Sequence, residues 1–211
     1  MLFEQSGDGF TFLHDAIRES DFTGGRQMRT VLTGDTDLDG RQEVIVATGG
    51  SSPTSGLVAI WEHSGVQGEN IYTRVFAYET VSYLFQAALG DADNDGWPEI
   101  LLDLGGFGGF PLQIRRLEYE PGAGTWVHRQ FASSVIGLPT TPHVADADGD
   151  GDLELLYGSE DEGGGFVVIF QATGENSFEP VWISPDRLSG NVMALDSSPV
   201  SYTHLTLPTS S

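Results

Sequence analysis

The sequence predicts an all-β chain, and within that class a partial β-propeller of four-stranded antiparallel blades: about three full blades with parts of two others. Three observations lead there. An acidic stretch recurs three times, as GDTDLDGRQEVIVATGG from Gly34, GDADNDGWPEILLDLGG from Gly90 and ADADGDGDLELLYGSE from Ala145; its first aspartates, Asp35, Asp91 and Asp146, lie 56 and 55 residues apart. Each copy is framed by the same series of short runs, rich in β-branched and aromatic residues and bounded by glycine, asparagine or aspartate, which read as strands. No segment sustains a helical period; Phe12–Asp21 comes nearest, and it is short. Four strands repeating at a fixed interval of this length mark a propeller blade. A pair of β-sandwiches is the competing architecture, but a sandwich does not require internal repeats that share a loop.

Residues 1–27 are expected to end a preceding blade. FEQSGDGF, near the start, is one copy of a turn (aromatic, acid or amide, a few residues, glycine, aromatic) that begins again at Trp61-Glu62, Tyr119-Glu120 and Phe170-Gln171. Blades are expected over 28–80, 81–135 and 136–190. In each, a first apolar run enters the acidic loop: Met28–Leu32, Tyr83–Leu89 and His143–Ala145. A second leaves it: Val44–Thr48, Ile100–Leu104 and Leu153–Tyr157. After a glycine-rich break comes a third: Gly56–Trp61, Pro111–Tyr119 and Gly165–Phe170. The recurrent turn leads to a fourth: Ile71–Tyr78, Thr125–Phe131 and Phe178–Ile183. Residues 191–198 are expected to open another blade, with Asp196 at the head of the next acidic loop. Such units bury their faces against neighbours, so three form a core but not a closed ring, and the remaining blades of the same chain are expected. The tail PVSYTHLTLPTSS, 199–211, has no acid, no glycine and no turn pattern. It resembles the translation of a transposase sequencing adapter and is set apart from the fold. On that reading the natural chain continues past Ser198, and Met1 is as readily an internal methionine as a start.

Composition narrows the function classes. The 211 residues carry 31 acids against 9 basic residues, all arginine, for a net charge of -22. A chain this acidic repels nucleic acid and anionic membranes, so neither is expected as a partner. Cysteine is absent, which excludes disulfides, thiolate metal sites and a cysteine nucleophile. No run of apolar residues reaches the length of a membrane-spanning helix, so no membrane insertion is expected. The opening MLFEQSGDGF has neither the basic region nor the apolar core of a signal peptide.

The acidic loops carry the chemistry. Numbered from one to nine, they hold aspartate at one, three and five: Asp35, Asp37 and Asp39; Asp91, Asp93 and Asp95; Asp146, Asp148 and Asp150. Glycine holds six (Gly40, Gly96, Gly151) and glutamate nine (Glu43, Glu99, Glu154). Alternate side chains converge only if the backbone wraps around a point, which a glycine permits. Two carboxylates about 5 Å apart repel by roughly 3 kcal/mol at an effective dielectric of ~20, so an ordered loop of four calls for a cation. Calcium fits best, because it accepts only oxygen ligands, tolerates irregular geometry and takes a carbonyl at position seven, here Arg41, Trp97 and Asp152. Magnesium prefers a stricter octahedron. An EF-hand is excluded, since position twelve is Val46, Leu102 or Tyr157, inside predicted strands.

A nine-residue acidic loop between two strands resembles the calcium loop of FG-GAP repeats, also called VCBS repeats, which build the integrin-α-like β-propeller. The resemblance covers essentially Met1 to Ser198. The motif that names the family is present only as an echo, Phe107-Gly108 and Gly109-Phe110-Pro111. The resemblance implies a seven-bladed ring with Ca²⁺ in the loop joining the first two strands of each blade, three sites here. The ligands it implies are the aspartates and glutamates above and the backbone carbonyls of Arg41, Trp97 and Asp152. It further implies an extracellular or cell-surface adhesion or ligand-binding module whose partner is a protein or a glycan. The competing expectation is the propeller domain of a polysaccharide lyase or other carbohydrate-active enzyme, and a third is a structural spacer in a larger surface protein.

Other stretches are given structural readings. GGSSPTSG, Gly49–Gly56, lacks the lysine and following helix of a phosphate-binding loop and reads as a hairpin connection. LGGFGGF, Leu104–Phe110, reads as a loop, with Phe107 buried against a neighbouring blade. The histidines, His14, His63, His128, His143 and His204, show no metal-ligand spacing. The dipeptide Arg115-Arg116 is expected on a solvated strand face. No nucleophile–base pair or catalytic constellation stands out, which favours a binding role over an enzymatic one and leaves the enzymatic alternative open.

Overall fold

The computed structural model describes residues 2–6, 9–14, 27–49, 56–66, 71–80, 83–105, 113–133, 138–160, 165–175 and 177–186. All regular structure among them is β. A hairpin of β1 (Leu2–Ser6) and β2 (Gly9–His14) precedes three four-stranded antiparallel sheets. The first runs β3 (Gln27–Gly34), β4 (Glu43–Gly49), β5 (Leu57–His63) and β6 (Tyr72–Glu79). The second runs β7 (Tyr83–Gly90), β8 (Glu99–Gly105), β9 (Gln113–Glu120) and β10 (Thr125–Ser133). The third runs β11 (Leu138–Ala145), β12 (Glu154–Glu160), β13 (Val167–Gly174) and β14 (Ser177–Ile183). In each, spatial order follows chain order, so every connection joins hydrogen-bonded neighbours. The acidic loop always joins the first strand to the second.

The sheets stack face to face. Ile45, Ala47, Val58 and Ile60 of the first sheet pack with Ile100, Leu102, Leu104 and Leu117 of the second. The opposite face of the second sheet places Leu101 and Ala88 against Leu155, Tyr157, Val168 and Phe170 of the third. Period-two alternation explains how one strand serves two interfaces: Ile100 and Leu102 point one way, Leu101 the other. Each such leucine or isoleucine contributes about 1.5–3 kcal/mol on burial. The sheets also meet through their first strands: β7 packs on β3 and β4 on one side and on β11 on the other.

Glycines mark where these strands approach. A Cβ on Gly34 would lie 2.5 Å from Leu89 Cδ2, and one on Gly90 would lie 2.7 Å from Val144 Cβ. Both residues stand immediately before the first aspartate of their loops, so the same position of the repeat is kept bare where the next first strand crosses it. The third repeat has Ala145 there.

β11 is longer than its predicted core of His143–Ala145. Pro139 and Pro142 make the sequence read as loop, yet β11 pairs only with β12, and an edge strand can spare the N–H that proline lacks. The pairing shifts register between Thr140 and Pro142. Of the helix candidate Phe12–Asp21, Phe12–His14 belong to β2, and the rest lies outside the described residues. Also outside them are the middle of the GGSSPTSG connection, Phe107 and its loop, His204, and residues 191–211, with Asp196 and the tail.

Candidate metal centres

Each acidic loop folds around its own carboxylates. In the first, Asp35 Oδ1 accepts the Asp39 N–H at 3.1 Å and its Oδ2 accepts the Gly40 N–H at 2.9 Å. In the second, Asp91 does the same for Asp95 (3.0 Å) and Gly96 (2.9 Å). The position-five carboxylates accept the amide two residues on, Arg41 N–H at 2.8 Å from Asp39 and Trp97 N–H at 2.8 Å from Asp95. This winding requires left-handed backbone at two places. Position six has φ of 88°, 97° and 100° at Gly40, Gly96 and Gly151; position four has 57°, 58° and 85° at Leu38, Asn94 and Gly149.

The position-nine glutamate closes the loop from the first residue of the second strand. One carboxylate oxygen caps the amide at position two, Thr36 (2.5 Å), Ala92 (2.7 Å) or Ala147 (2.7 Å). The result is three groups whose donor oxygens lie within 4.8 Å of one another: Asp35, Asp37, Asp39 and Glu43; Asp91, Asp93, Asp95 and Glu99; and Asp146, Asp148 and Glu154. Each group can hold a metal ion.

Asp150 stands outside the third group. Glycine at position four lets the Gly149 N–H reach Asp146 Oδ1 at 2.6 Å, so the Asp150 N–H turns to Asp148 Oδ1 at 3.1 Å instead. In the other two loops Asp146's counterparts, Asp35 and Asp91, take the amide of position five instead of position four. Asp150 Oδ1 accepts the Asp152 N–H at 2.9 Å.

The electrostatics show what the clusters lack. Glu43 is fully buried, and desolvation pushes its carboxyl up to about 7 against the cap from Thr36. Burial likewise pushes Glu99 up to about 9, with Asp93 adding to the rise and Arg116 opposing it. Glu154, Asp37 and Asp91 are also raised, each chiefly by burial. Among the described residues, the buried oxygens Glu43 Oε1 and Glu154 Oε1 have no hydrogen-bond partner. A buried carboxylate oxygen with no donor is costly, and a bound cation would offset that cost. The donor set is entirely oxygen, which suits a hard divalent ion.

The loops are also tied to their neighbours. Trp126 of β10 donates its indole N–H to Thr36 Oγ1 in the first loop (3.1 Å), and Thr36 Oγ1 in turn donates to Glu43 Oε2 at 2.9 Å. Asn94 of the second loop makes a paired contact with Leu153 at the end of the third, donating to its carbonyl at 3.1 Å and accepting its N–H at 2.8 Å.

The arginine dipeptide corrects the expectation of a solvated face. Arg116 is 1% exposed, and its Nη1 lies 2.6 Å from Glu118 Oε2, 3.3 Å from Asp93 Oδ2 and 3.4 Å from Glu99 Oε1. Arg115 is half-buried and meets Tyr78 Oη (3.4 Å) and His128 Nε2 (3.1 Å), whose rings stack. Burial and the Arg115 charge lower the His128 pKa. One signal for Arg116 was present: Arg116 and Glu118 share a strand face with period two, and the register places Arg116 where the other repeats have Ile60 and Ile169. In the first loop a different arginine is used: Arg41, at position seven, pairs with Asp39 and Glu62 and lowers the Asp39 pKa.

No protein-family model matches this chain, and no curated protein matches it in sequence.

Proposed function

We propose that the chain is part of a calcium-binding β-propeller of the FG-GAP or VCBS type, in which Ca²⁺ pins the loop between the first two strands of each blade. The observation that carries this reading is the threefold recurrence, at one structural position, of carboxylate oxygens gathered within 4.8 Å. All-oxygen donors, aspartates at alternate positions, a turn glycine and a closing glutamate suit calcium better than magnesium. Each site filled at a hundredfold over its dissociation constant would add about 2.7 kcal/mol to folding. The ion is structural: it converts a cluster of mutually repelling, desolvated carboxylates into the fixed corner of a blade.

The module would act outside the cell or on its surface, where calcium is abundant, and bind a protein or glycan ligand through loops at one face of the ring. Following blades of the same kind would cover the open face of the third sheet. The test of the calcium reading is titration of the calcium-stripped protein by calorimetry. Calcium uptake that magnesium does not displace, reduced stepwise by Glu43→Gln and Glu154→Gln, is the expected result. Absence of calcium uptake by folded protein would refute it.

A further inference from the structure

The three loops are not equivalent, and one of the differences between them is a buried side chain. The Glu43 and Glu154 oxygens left over from the position-two cap have no hydrogen-bond partner among the described residues. The matching oxygen of the central loop, Glu99 Oε1, has Arg116 Nη1 at 3.4 Å, and the same nitrogen reaches the loop carboxylate of Asp93 at 3.3 Å. Arg116 arrives from inside the sheet rather than from solvent, and its exposure is 1%. Its strand position is filled by isoleucine in the repeats on either side, Ile60 and Ile169. A guanidinium at an apolar position, withdrawn from water, keeps its place only by its carboxylate partners.

We propose that Arg116 is a tethered cation for the central loop: it holds that loop ordered when no divalent ion is bound, and it weakens the loop's hold on the ion relative to the first and third loops. This rests on the reading of the loops as calcium sites. The physical reason is that a fixed positive charge beside two ligand carboxylates satisfies part of their demand and repels a second cation. The neighbouring repeats provide the control. Arg41 in the first loop lies on the solvent side, on Asp39 and Glu62, and leaves Glu43 Oε1 without a donor. The third repeat has Ile169 and Gln171 where the central one has Arg116 and Glu118. The molecule would therefore answer a fall in calcium in two parts, the outer loops loosening first while the central sheet stays intact.

The experiment compares the full chain with the double variant Arg116→Ile/Glu118→Gln, which copies the pair of the third repeat, and with Arg116→Lys, which keeps a cation. All are checked for folding by circular dichroism in calcium, then studied by calcium titration and by hydrogen exchange in chelator. In the parent protein, two ions bind tightly and a third binds about tenfold or more weakly, which is about 1.4 kcal/mol or more. In chelator, peptides spanning Ala92–Gly96 exchange more slowly than those spanning Thr36–Gly40 and Ala147–Gly151. The double variant loses that protection and gains a third tight site; Arg116→Lys retains the weak one. Three equal affinities in the parent, or a double variant that changes neither readout, would overturn the role of Arg116 alone. Calcium uptake at no loop would overturn the calcium reading beneath it, and this proposal with it.

Discussion

The second and third sheets are the same repeat in two settings. In the second, the face that carries Leu101 and Arg116 is covered by the third sheet, and both residues are fully buried. In the third, the equivalent residues are Leu156 and Ile169, and both are only half-buried. That face opens on a groove of about 370 Å³ lined by Ala147, Asp148, Glu154, Ile169, Val181 and Trp182, with Trp182 46% exposed. Strand order and the pairing of the second strand with the third are alike in the two sheets; the neighbour differs. A sheet of this kind completes its core only when another sheet lies on it, and the acidic loop between its first two strands is sheltered by the same contact. Burial pushes Glu99 up to about 9; Glu154 is also raised by burial, but the aspartates of its loop, Asp146 and Asp148, are exposed.

The largest test of that comparison is a matched pair of truncations. Leu101→Ala should cost about 2–5 kcal/mol in denaturant unfolding, because a cavity is left between two sheets. Leu156→Ala at the equivalent site should cost less than half as much. Equal losses would mean that the face of the third sheet is as well covered as that of the second. Next, Gly90→Ala should destabilise by about 1–3 kcal/mol, since its methyl would meet Val144. Ala145→Gly, at the same position of the third repeat, should cost less than about 1 kcal/mol by the same measurement.

pH sharpens the comparison of the loops. Burial raises the folded-state pKa values of Glu43 and Glu99 above the ordinary carboxyl range, to about 7 and about 9. A raised carboxyl stabilises the fold below its unfolded pKa, and that stability is lost as pH rises through the folded value. Calcium-stripped protein should therefore melt at progressively lower temperature from pH 5 to pH 9. Calcium binds the ionised form, so the gain in Tm on adding it should grow over the same range. A calcium-free melting temperature that rises with pH would contradict the assignment of these two groups. The smallest effect is expected at Leu38, which holds a left-handed φ of 57° at 50% exposure. Leu38→Asn, which copies Asn94 of the central loop, should stabilise by about 1 kcal/mol in thermal unfolding.

Much of this was legible in the sequence. The strands showed through their β-branched runs, and the loops through aspartates at every second position with a fixed glycine and glutamate, because those residues are demanded locally by backbone and ligand geometry. What escaped depends on partners distant in the chain. Arg116 read as a surface charge because its carboxylates, Asp93 and Glu99, come from a loop and strand that only the sheet brings to it. The full extent of β11 was hidden by two prolines that matter less on an edge. Leu38 gave no warning of its backbone, whereas Asn94 and Gly149 at the same position are residues that favour it. Asp150 fits the aspartate pattern, but it stands outside the third cluster, where the Gly149 N–H rather than its own meets Asp146 Oδ1.

The most direct test of the central claim is thermal unfolding of the full chain in millimolar calcium, in millimolar magnesium and in chelator, with Asp91→Ala/Asp93→Ala beside it. The account predicts a large rise in midpoint with calcium, little with magnesium, and a smaller calcium response in the double variant. A folded protein whose midpoint is the same in calcium and in chelator would contradict it, and the carboxylate clusters would then be ordinary acidic turns.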